Sequence, residues 1–532
     1  MSKRNVYYAY MDVNEGKTEI FSLSTGEIYT IDGYDVYANI NQKSKSDCYI
    51  SRVYTFSKMF PGGTLCAHNY KKMDTPEPLT YTLGKCTFRS FYALFGGQPL
   101  VKNLADMYPQ SERITHRMHL YLTQFGDVTE HPIQYTLAYQ AQKQFYADIA
   151  DELWEEHKKN HHYYYDVQTY RDMYSGNKSG TMLIYGDTAS YHEDIAAFDK
   201  KSAYPSVMVN DDVFPIGRIK FVGTCGTPND TEQWILRHIH NKKWVKIVFD
   251  GKINGLEKWY DADMDVTALE YWNIFTCHRM GLWRNLQEAL CVSNYRMYDC
   301  TITGYLHTAF RDKIIEYYNE KERYPKCSVT RFMRKTCIDM LYGKGLQDFA
   351  FKDIYEIQKH FRGRGKNYLT PEMSMHCVAR VEYELLDAYA QNESVYCDTD
   401  GIKVKNTEKS NDYFNRKNND ILYRNNIAGY DTNIGIWDSE GHIDRLIIFN
   451  RKCYVAETDG KIDATIAGVP EDIKKWYIGK IQCDKIQYMR VQGFSYPVRE
   501  YKITDGNIQQ DYRRDDDGNI LLSHLRGDLT NE

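Results

Sequence analysis

The spacing of apolar and polar positions changes along the chain. It predicts a strand-rich start, then a helical stretch, then a region of mixed strands and helices. Short apolar runs separated by turn signals such as Asp32-Gly33 predict strands over residues 1–60. Apolar residues at helical spacing, from Tyr139 to Leu153, predict helices over residues 110–160. A polar stretch rich in tyrosine and histidine follows, and this change of composition predicts a boundary near residue 180.

Strands and helices alternate beyond residue 185. Residues 195–198 form a short apolar run, and residues 244–249 alternate with period two up to an Asp-Gly turn signal, so both segments are predicted strands. Residues 310–346 predict two consecutive helices, and residues 372–391 predict another. The last 20 residues are polar and predict an exposed tail.

Three aspartates follow apolar runs at positions where they can meet. Asp199 comes directly after the first of these runs, and two short strands surround the sequence Asp398-Thr399-Asp400-Gly401, which predicts a hairpin. Carboxylates at a hairpin tip that face another at a strand end can hold two divalent ions for in-line phosphoryl transfer. Mg²⁺ suits such a site because it takes few carboxylates, and Mn²⁺ is the expected substitute. Taken alone, the Asp-Thr-Asp turn has a simpler explanation, since Asp and Thr hydrogen-bond to their own backbone in turns.

The segment 328–343 predicts a helix with one charged and one apolar face. At 100° per residue, four residues lie within about 80° of one another. They are Arg331, Lys335, Asp339 and Tyr342. The opposite face is expected to pack and consists of Val329, Met333, Thr336 and Met340. The cations suit a triphosphate and the tyrosine ring can pack against a nucleotide. A solvated basic face explains the charges, but not their combination with the aspartates.

Composition narrows the class of protein. The 532 residues carry a formal net charge of −5, which excludes a globally basic coat but not a locally basic cleft. The 13 cysteines include no CxxC pair, which excludes a zinc ribbon and predicts reduced thiols and a cytoplasmic location. No apolar run approaches the roughly 18 residues of a membrane helix, so no membrane association is expected.

The aspartate and helix segments, in this order, resemble the three polymerase motifs of family B DNA polymerases. Residues 199–206 are similar to DxxSLYPS, with Ala203 in place of Leu. Residues 335–343 are similar to KxxxNSxYG, with Asp339 in place of Asn. Residues 396–401 are similar to YxDTDS, with Gly401 in place of Ser. Three motifs in the family's order are a far more specific signal than each motif alone.

Two further segments resemble nucleic-acid contacts of the same family. Lys452 and Tyr454 match the KxY motif that binds the primer end. Arg380 matches the end of a TxxAR motif, in which His376 stands where Thr is expected. The resemblance implies an α+β, right-hand polymerase fold with palm, fingers and thumb.

Within this family, the motif spacing resembles the protein-primed branch of phages and linear plasmids. That branch implies two insertions, of which one contacts the priming protein and the other serves strand displacement. Basic residues of the second insertion are Arg362, Arg364 and Lys366. The implied domains are an N-terminal domain (1–183), palm (184–249 and 372–454), first insertion (250–306), fingers (307–344), second insertion (345–371), and thumb with tail (455–532).

The N-terminal domain departs from the family because its exonuclease carboxylates are missing. No DxE occurs in residues 1–185, and Asp12 and Glu15 have the wrong spacing. Four residues after Tyr139, Lys143 stands where an aspartate is needed. Two-metal exonuclease chemistry fails without those ligands. We therefore expect a degenerate exonuclease-like domain, or an unrelated one, without 3′→5′ exonuclease activity.

The resemblance also implies roles for individual residues around the metals. Asp199 and Asp400 bridge both ions, Asp398 supports the ion nearer the primer hydroxyl, and the Lys200 carbonyl adds a ligand. Nucleotide-binding residues are Lys335, Arg331, Arg323, Tyr204, Tyr342 and Asp339. Among these, Lys335 with an arginine neutralises the triphosphate, Tyr204 excludes a 2′-hydroxyl, and Tyr342 packs on the nascent pair. Residues expected to bind primer or DNA are Lys452, Tyr454, Arg380, Arg362, Arg364 and Lys366.

The predicted function is therefore protein-primed, DNA-directed DNA synthesis in viral or plasmid replication within the host cytoplasm. The expected partners are template and primer DNA, dNTPs and a terminal protein. Two alternatives stay open, namely a template-independent nucleotidyltransferase of the same fold and a non-catalytic nucleic-acid binding protein. Retention of the three aspartates and of Lys335 argues against the second alternative.

Overall fold

The structure is a computed structural model. It describes residues 5–12, 15–51, 64–66, 80–91, 100–129, 137–147, 149–153, 166–174, 185–186, 190–224, 244–253, 266–270, 290–346, 353–361, 368–450, 453–466, 485–487, 500–504 and 507–511. The chain divides into two compact units. The first unit comprises Met1–His157, His307–Lys344 and Gly363–Asn367, and the second comprises Lys158–Leu306, Gly345–Arg362 and Tyr368–Glu532.

A seven-stranded sheet forms the centre of the first unit, with strand order β3-β2-β1-β4-β7-β6-β5. Its strands are β1 (Asn5–Asp12), β2 (Lys17–Ser22), β3 (Ile28–Asp32), β4 (Ser46–Ile50), β5 (Thr64–Cys66), β6 (Thr80–Leu83) and β7 (Cys86–Ser90). β1, β4 and β7 are parallel to one another, whereas the other pairs are antiparallel. The predicted strand-rich start is confirmed by β1 to β4.

Alternation along these strands creates two buried faces. Tyr8 belongs to the cluster on one face and the adjacent Ala9 to the cluster on the other. Both faces bury because apolar residues occupy consecutive positions, which is expected of strands covered on both sides. The helix residues Tyr121 and Met333 join the cluster of Tyr8.

Several helices belong to the described part of the first unit. They are α1 (Leu100–Met107), α2 (Ile114–Thr129), α3 (Leu137–Ala147), α6 (Thr308–Arg323) and α7 (Val329–Gly345, whose last residue falls in the second unit). Glu19 of β2 accepts hydrogen bonds from the Thr115 backbone N (3.0 Å) and hydroxyl (2.7 Å), which satisfies donors at the start of α2. Arg334 of α7 pairs with Glu320 of α6 at 2.6 Å. The predicted helices within residues 110–160 are confirmed by α2 and α3, whereas residues 154–160 lie outside the described residues. The predicted helix pair over 310–346 is confirmed by α6 and α7.

The second unit contains another seven-stranded sheet, with order β20-β19-β18-β9-β17-β16-β8. Its strands are β8 (Tyr185–Gly186), β9 (Ser190–Lys200), β16 (Ser394–Asp398), β17 (Gly401–Lys405), β18 (Trp437–Asn450), β19 (Cys453–Thr458) and β20 (Lys461–Ile466). All its pairs are antiparallel. The central strand β9 contains the predicted strand 195–198 and is longer than predicted, because it pairs on both sides.

Smaller sheets and five helices complete the described part of the second unit. The strands are β10 (Phe214–Pro215), β11 (Ile219–Gly223), β12 (Val245–Ile253), β13 (Val266–Glu270), β14 (Leu290–Cys300), β15 (Thr303–Gly304), β21 (Lys485–Gln487), β22 (Glu500–Thr504) and β23 (Asn507–Asp511). The helices are α4 (Val167–Tyr174), α5 (Ala203–Asn210), α8 (Ile354–Phe361), α9 (Pro371–Gln391) and α10 (Glu408–Ile427). The predicted helix over residues 372–391 is confirmed by α9.

The strand β12 also differs from its prediction. β12 does not end at the Asp-Gly turn signal but continues to Ile253, with a register irregularity between Val248 and Asp250. The strand continues because its neighbour β14 extends alongside it and supplies partners beyond the irregularity.

Helix α4 is bound to β14 by a buried polar network. Asp172, 1% exposed, accepts hydrogen bonds from Arg296 Nε (2.6 Å) and from the Tyr298 hydroxyl (2.5 Å). Lys246 Nζ donates to the Met173 carbonyl at 3.1 Å. The compact units accordingly divide near residue 157, whereas the predicted N-terminal domain ends at residue 183. The assignment of domains stays a prediction.

The described helices include none that is both long and apolar enough to cross a membrane. The predicted exposed tail lies outside the described residues.

Candidate active site

The predicted hairpin forms between β16 and β17, with Asp398 opposite Gly401. Thr399 adopts a left-handed backbone with φ 61°, and its hydroxyl donates to Asp398 Oδ1 at 2.8 Å. The Asp400 backbone N donates to the Asp398 carbonyl at 2.7 Å. A left-handed threonine is strained, because its β-branched side chain crowds the backbone in that region. The turn is therefore tight and fixed by its own residues.

Strand β9 brings Asp199 next to this hairpin. Asp199 pairs with Gly401, and the following residue, Lys200, donates its backbone N–H to the Asp400 carbonyl at 3.0 Å. This register brings the three aspartates to the same end of three adjacent strands, and paired strands lie about 4.8 Å apart. All three are partly buried.

Gly401 permits a close approach of the Asp199 carboxylate. A Cβ added at Gly401 would lie 3.3 Å from Asp199 Oδ1, which is tighter than ordinary van der Waals contact. A serine here, as in the family motif, would displace that carboxylate by a few tenths of an ångström. The glycine that this chain has in place of the motif's serine thus affects the placement of Asp199.

The donor set at this strand end fits Mg²⁺ in its chemistry. Carboxylate and backbone carbonyl oxygens are hard ligands, and Mg²⁺ is usually held by one or two carboxylates together with water and substrate phosphates. Among the described residues, no three His, Cys, Asp or Glu side chains are grouped closely enough to hold a metal ion by themselves. The assignment of Asp199, Asp398, Asp400 and the Lys200 carbonyl as ligands stays a prediction.

The segment after Asp199 is fixed by backbone contacts. Ser202 is left-handed with φ 48°, and helix α5 begins at the next residue. The Gly435 backbone N donates to the Lys201 carbonyl at 2.8 Å. Gly435 has φ 84° and a Cβ there would lie 2.7 Å from Ser206 Cβ, so only glycine fits. Tyr204, the predicted sugar-contacting residue, is 8% exposed in the first turn of α5.

The Lys200 side chain has a role that the sequence did not suggest. Successive side chains of a strand point to opposite faces, so Lys200 points away from the face of Asp199. It is 3% exposed and forms an ion pair with Glu384 of α9. Burial, followed by neighbouring cations, chiefly Arg380, lowers its pKa well below the ordinary value. No local signal in the sequence indicates this partner, because Glu384 lies 184 residues further along the chain.

Arg380, predicted to bind DNA, contacts carboxylates of its own chain. Its Nε lies 3.0 Å from Asp211 Oδ2 and 3.8 Å from Glu384 Oε1. Burial alone would raise the pKa of Asp211, but His376 and Arg380 hold it well below its ordinary value. His376 is fully buried, with Nε2 at 3.6 Å from Asp211 Oδ1. Binding of DNA by Arg380 stays a prediction.

The charged face of α7 in the first unit is only partly as predicted. Lys335 is exposed, whereas Arg331 donates to the carbonyls of Lys321 (2.9 Å) and Tyr324 (3.1 Å) at the end of α6. Such contacts satisfy helix C-terminal carbonyls. Burial raises the pKa of Asp339, against the opposing effect of Lys335. Arg323 is exposed and Tyr342 is partly buried.

The apolar face of α7 packs as predicted, with one exception. Val329 and Met333 are 2% and 0% exposed, and Thr336 is 8% exposed. Met340 is 36% exposed, so its predicted packing into a core is wrong. It lies in the last turns of α7, where the described neighbours do not cover it.

Tyr454, predicted to hold the primer end, lies on β19 of the second unit. Its ring centroid is 5.2 Å from that of Tyr396, and Lys403 Nζ lies 4.9 Å from the Tyr454 centroid. The remaining predicted DNA contacts lie outside the described residues. They are Lys452, Arg362, Arg364 and Lys366.

The N-terminal acidic residues serve a turn. Asp12 ends β1, and its Oδ1 accepts a hydrogen bond from the Glu15 backbone N at 3.2 Å. Lys143 is exposed on α3. The lack of exonuclease activity stays a prediction.

The fold that contains the three aspartates is similar to that of solved DNA polymerases. No protein-family model and no curated protein matches the sequence. Solved structures of Phi29 DNA polymerase do match the structure. The complex with single-stranded DNA and the ternary complex with primer-template DNA and incoming nucleotides each have a TM-score of 0.60 and 12% identity, and cover 96% of this chain and 99% of theirs. The orthorhombic crystal form has a TM-score of 0.59 and 13% identity, with the same coverage.

The similarity confirms the predicted resemblance and the α+β class at the level of the fold. At 12–13% identity it shows the fold alone.

Proposed function

We propose that the chain is a DNA-directed DNA polymerase that adds dNMP to a primer hydroxyl by two-metal phosphoryl transfer. The observation that carries the proposal is the register of β9 against the β16–β17 hairpin, which brings Asp199, Asp398 and Asp400 to one end of three adjacent strands. The likeness to solved polymerases over 96% of the chain supports it.

In this proposal the three aspartates and the Lys200 carbonyl hold the ions. Bound Mg²⁺ stabilises the charge that develops on the phosphoryl oxygens. The hairpin backbone keeps Asp398 and Asp400 in a fixed relative position, so little reorganisation accompanies the reaction. Most of the catalysis of phosphoryl transfer is positioning and electrostatic stabilisation of this kind.

The nucleotide is proposed to bind to cations of α6 and α7. Lys335 is the principal candidate for the triphosphate because it is exposed, as is Arg323. Arg331 is the weaker candidate because its guanidinium already bonds two backbone carbonyls. Tyr204 is proposed to exclude a 2′-hydroxyl, and Tyr342, beside Asp339 on the same helix face, to pack on the nascent pair.

We further propose that the primer is a terminal protein and that the enzyme replicates a viral or plasmid genome in the host cytoplasm. Motif spacing supports this assignment, since residues 250–306 stand where the family that the chain resembles has an insertion that contacts the priming protein. The second insertion, 345–371, is proposed to serve strand displacement. Lys452, Tyr454 and Arg380 are proposed to contact primer and template.

The N-terminal domain is proposed to lack exonuclease activity. Asp12 and Glu15 have the wrong spacing for a metal-binding pair, and Lys143 stands where the helix aspartate is expected. Without carboxylate pairs, two-metal hydrolysis of a DNA strand has no ligands at these positions.

The decisive experiment is dNTP incorporation on a primed single-stranded template with Mg²⁺. We expect the wild type to extend the primer and Asp400→Ala to retain less than about 1% of the rate, because removing one stabilising electrostatic contact costs roughly 10²- to 10³-fold. Asp444→Ala is the matched control, because Asp444 lies on β18 beside the opposite end of β9. Asp400→Ala with activity near wild type would disprove the metal assignment.

Two additional arms distinguish the alternative functions. Incorporation that follows the sequence of homopolymer templates supports a polymerase, and equal incorporation without template indicates a template-independent nucleotidyltransferase. Binding of primed DNA without any incorporation indicates a non-catalytic protein.

A further inference from the structure

Helix α9 carries a stripe of charged and polar side chains that faces the back of the aspartate cluster. His376, Arg380 and Glu384 are spaced four residues apart and lie on one helix face. They meet Asp211, directly after α5, and Lys200, the last residue of β9. We refer to these five residues as the charge chain.

Charges alternate along the charge chain. Lys200 pairs with Glu384, Glu384 Oε1 lies 3.8 Å from Arg380 Nε, and Arg380 Nε lies 3.0 Å from Asp211 Oδ2. His376 Nε2 completes the series at 3.6 Å from Asp211 Oδ1. Side-chain exposures run from 0% for His376 to 20% for Glu384.

Such a chain is not needed for stability alone. A buried ion pair is often replaceable by apolar residues of similar volume at equal or greater stability, because desolvation of the charges offsets their attraction. The loss of one partner, in contrast, leaves an uncompensated buried charge. What an ion pair adds to an apolar contact is direction, since it fixes the position of one side chain relative to another.

Lys200 connects this ion pair to the three aspartates. Its backbone N–H donates to the Asp400 carbonyl, and Asp199 is the preceding residue. Its side chain, on the opposite face of β9, reaches Glu384. The end of β9 is therefore attached to the hairpin on one side through the backbone and to α9 on the other through the ion pair.

The pocket beside the charge chain is too small to suggest a substrate. Lys200, Arg380, Glu384 and Arg424 line a cavity of about 20 Å³. Ligand pockets typically measure about 300–1,000 Å³ and are mostly apolar. Two of the cations lining this pocket, moreover, are paired with carboxylates.

We propose that Glu384 is a positioning residue of the metal site, which acts through Lys200 to hold Asp199 and the Asp400 backbone in place. This inference rests on the proposed function, because it assumes that the aspartates bind divalent metal. Positioning by residues behind the ligands typically affects metal affinity by about 10- to 100-fold.

The test is Mn²⁺ binding to the full-length protein by electron paramagnetic resonance, without turnover. The Asp400→Asn variant is measured first, because the Mn²⁺ ions whose binding it loses are those that belong to the aspartate cluster. We expect Glu384→Gln to weaken those ions by at least about tenfold. Asp387→Asn is the matched control, because Asp387 lies on the same helix, is buried, and pairs with Lys417 (2.9 Å) and the Tyr413 hydroxyl (3.0 Å). Its partners are outside the charge chain.

A second variant separates positioning from folding. The double variant Lys200→Met with Glu384→Leu removes both charges and is expected to restore the unfolding temperature lost in Glu384→Gln, but not the Mn²⁺ affinity. Full recovery of Mn²⁺ affinity in the double variant would overturn the proposal, because an apolar contact would then suffice. Equal weakening in Glu384→Gln and Asp387→Asn would also overturn it.

Primer extension, measured in parallel, distinguishes this inference from the proposed function. Mn²⁺ binding that depends on Glu384, in a protein that incorporates no nucleotide, would contradict the polymerase assignment and support the positioning role. Absence of Mn²⁺ binding to the wild-type aspartates would contradict both.

Discussion

The attachment of α4 to β14 yields a prediction whose size follows from the structure. Asp172 accepts hydrogen bonds from Arg296 Nε (2.6 Å) and Nη2 (3.1 Å), the Tyr298 hydroxyl (2.5 Å) and Gln168 Nε2 (2.7 Å). Asp172→Asn keeps the shape of the side chain, removes its charge and turns one acceptor into a donor. The guanidinium of Arg296 is then left without its counterion.

The expected cost is about 3 kcal/mol, the lower end of the range for breaking a buried ion pair, because Arg296 is 20% exposed. Asp166→Ala provides the comparison on the same helix. Asp166 Oδ1 accepts a hydrogen bond from the Thr169 backbone N at 2.6 Å as an N-cap, whose loss typically costs about 1 kcal/mol.

The assay is hydrogen exchange of peptides covering β12 and β14, followed by mass spectrometry. If β14 is held by α4, a loss of about 3 kcal/mol accelerates exchange there roughly 100-fold, and the control roughly fivefold, since 1.4 kcal/mol corresponds to a factor of ten. Exchange in β1 and β4 of the first unit should not change. Equal exchange of β14 in Asp172→Asn and wild type would refute both the magnitude and the assignment of α4 to the second unit.

Three further predictions concern the proposed activity. Gly401→Ser should raise the Mg²⁺ concentration needed for half-maximal primer extension. The increase should be smaller than the roughly 100-fold that a 1 Å displacement can cost, because Asp199 moves by only a few tenths of an ångström. An unchanged Mg²⁺ dependence would contradict the close approach of Gly401 and Asp199. Tyr204→Val should raise the rNTP to dNTP incorporation ratio, whereas a variant that loses activity and stability together shows that Tyr204 is only a packed residue. With Mg²⁺, the full-length protein should not shorten a single-stranded DNA from its 3′ end. Steady shortening that persists in the Asp400→Ala variant would reveal an exonuclease.

Elements whose signals are local could be predicted from the amino-acid sequence. The hairpin of Asp398 and Asp400 was predictable because Asp, Thr and Gly are turn formers between two short apolar runs. The helices α6, α7 and α9 were predictable from their apolar period. The order of the aspartate and lysine motifs also indicated the polymerase fold, which the structural comparison confirmed despite 12% identity.

Contacts between distant segments, in contrast, became visible in the fold alone. Asp172 and Arg296 are 124 residues apart, and neither carries a local signal of the other. The sequence placed α4 with the N-terminal domain because composition changes after it, whereas its contacts attach it to β14. Composition reports what a segment is made of, but contacts across the chain set where it packs.

The same distinction explains the candidate site. The aspartates were recognisable because Asp199 and Asp398 end apolar runs and Asp400 lies in the turn that follows, but the pairing of Asp199 with Gly401 is a matter of strand register. The role of Lys200 was invisible, since its partner Glu384 lies on a helix whose apolar period predicts only that it packs. Periodicity predicts which face of an element is buried, but the fold alone determines which opposite charge lies against that face.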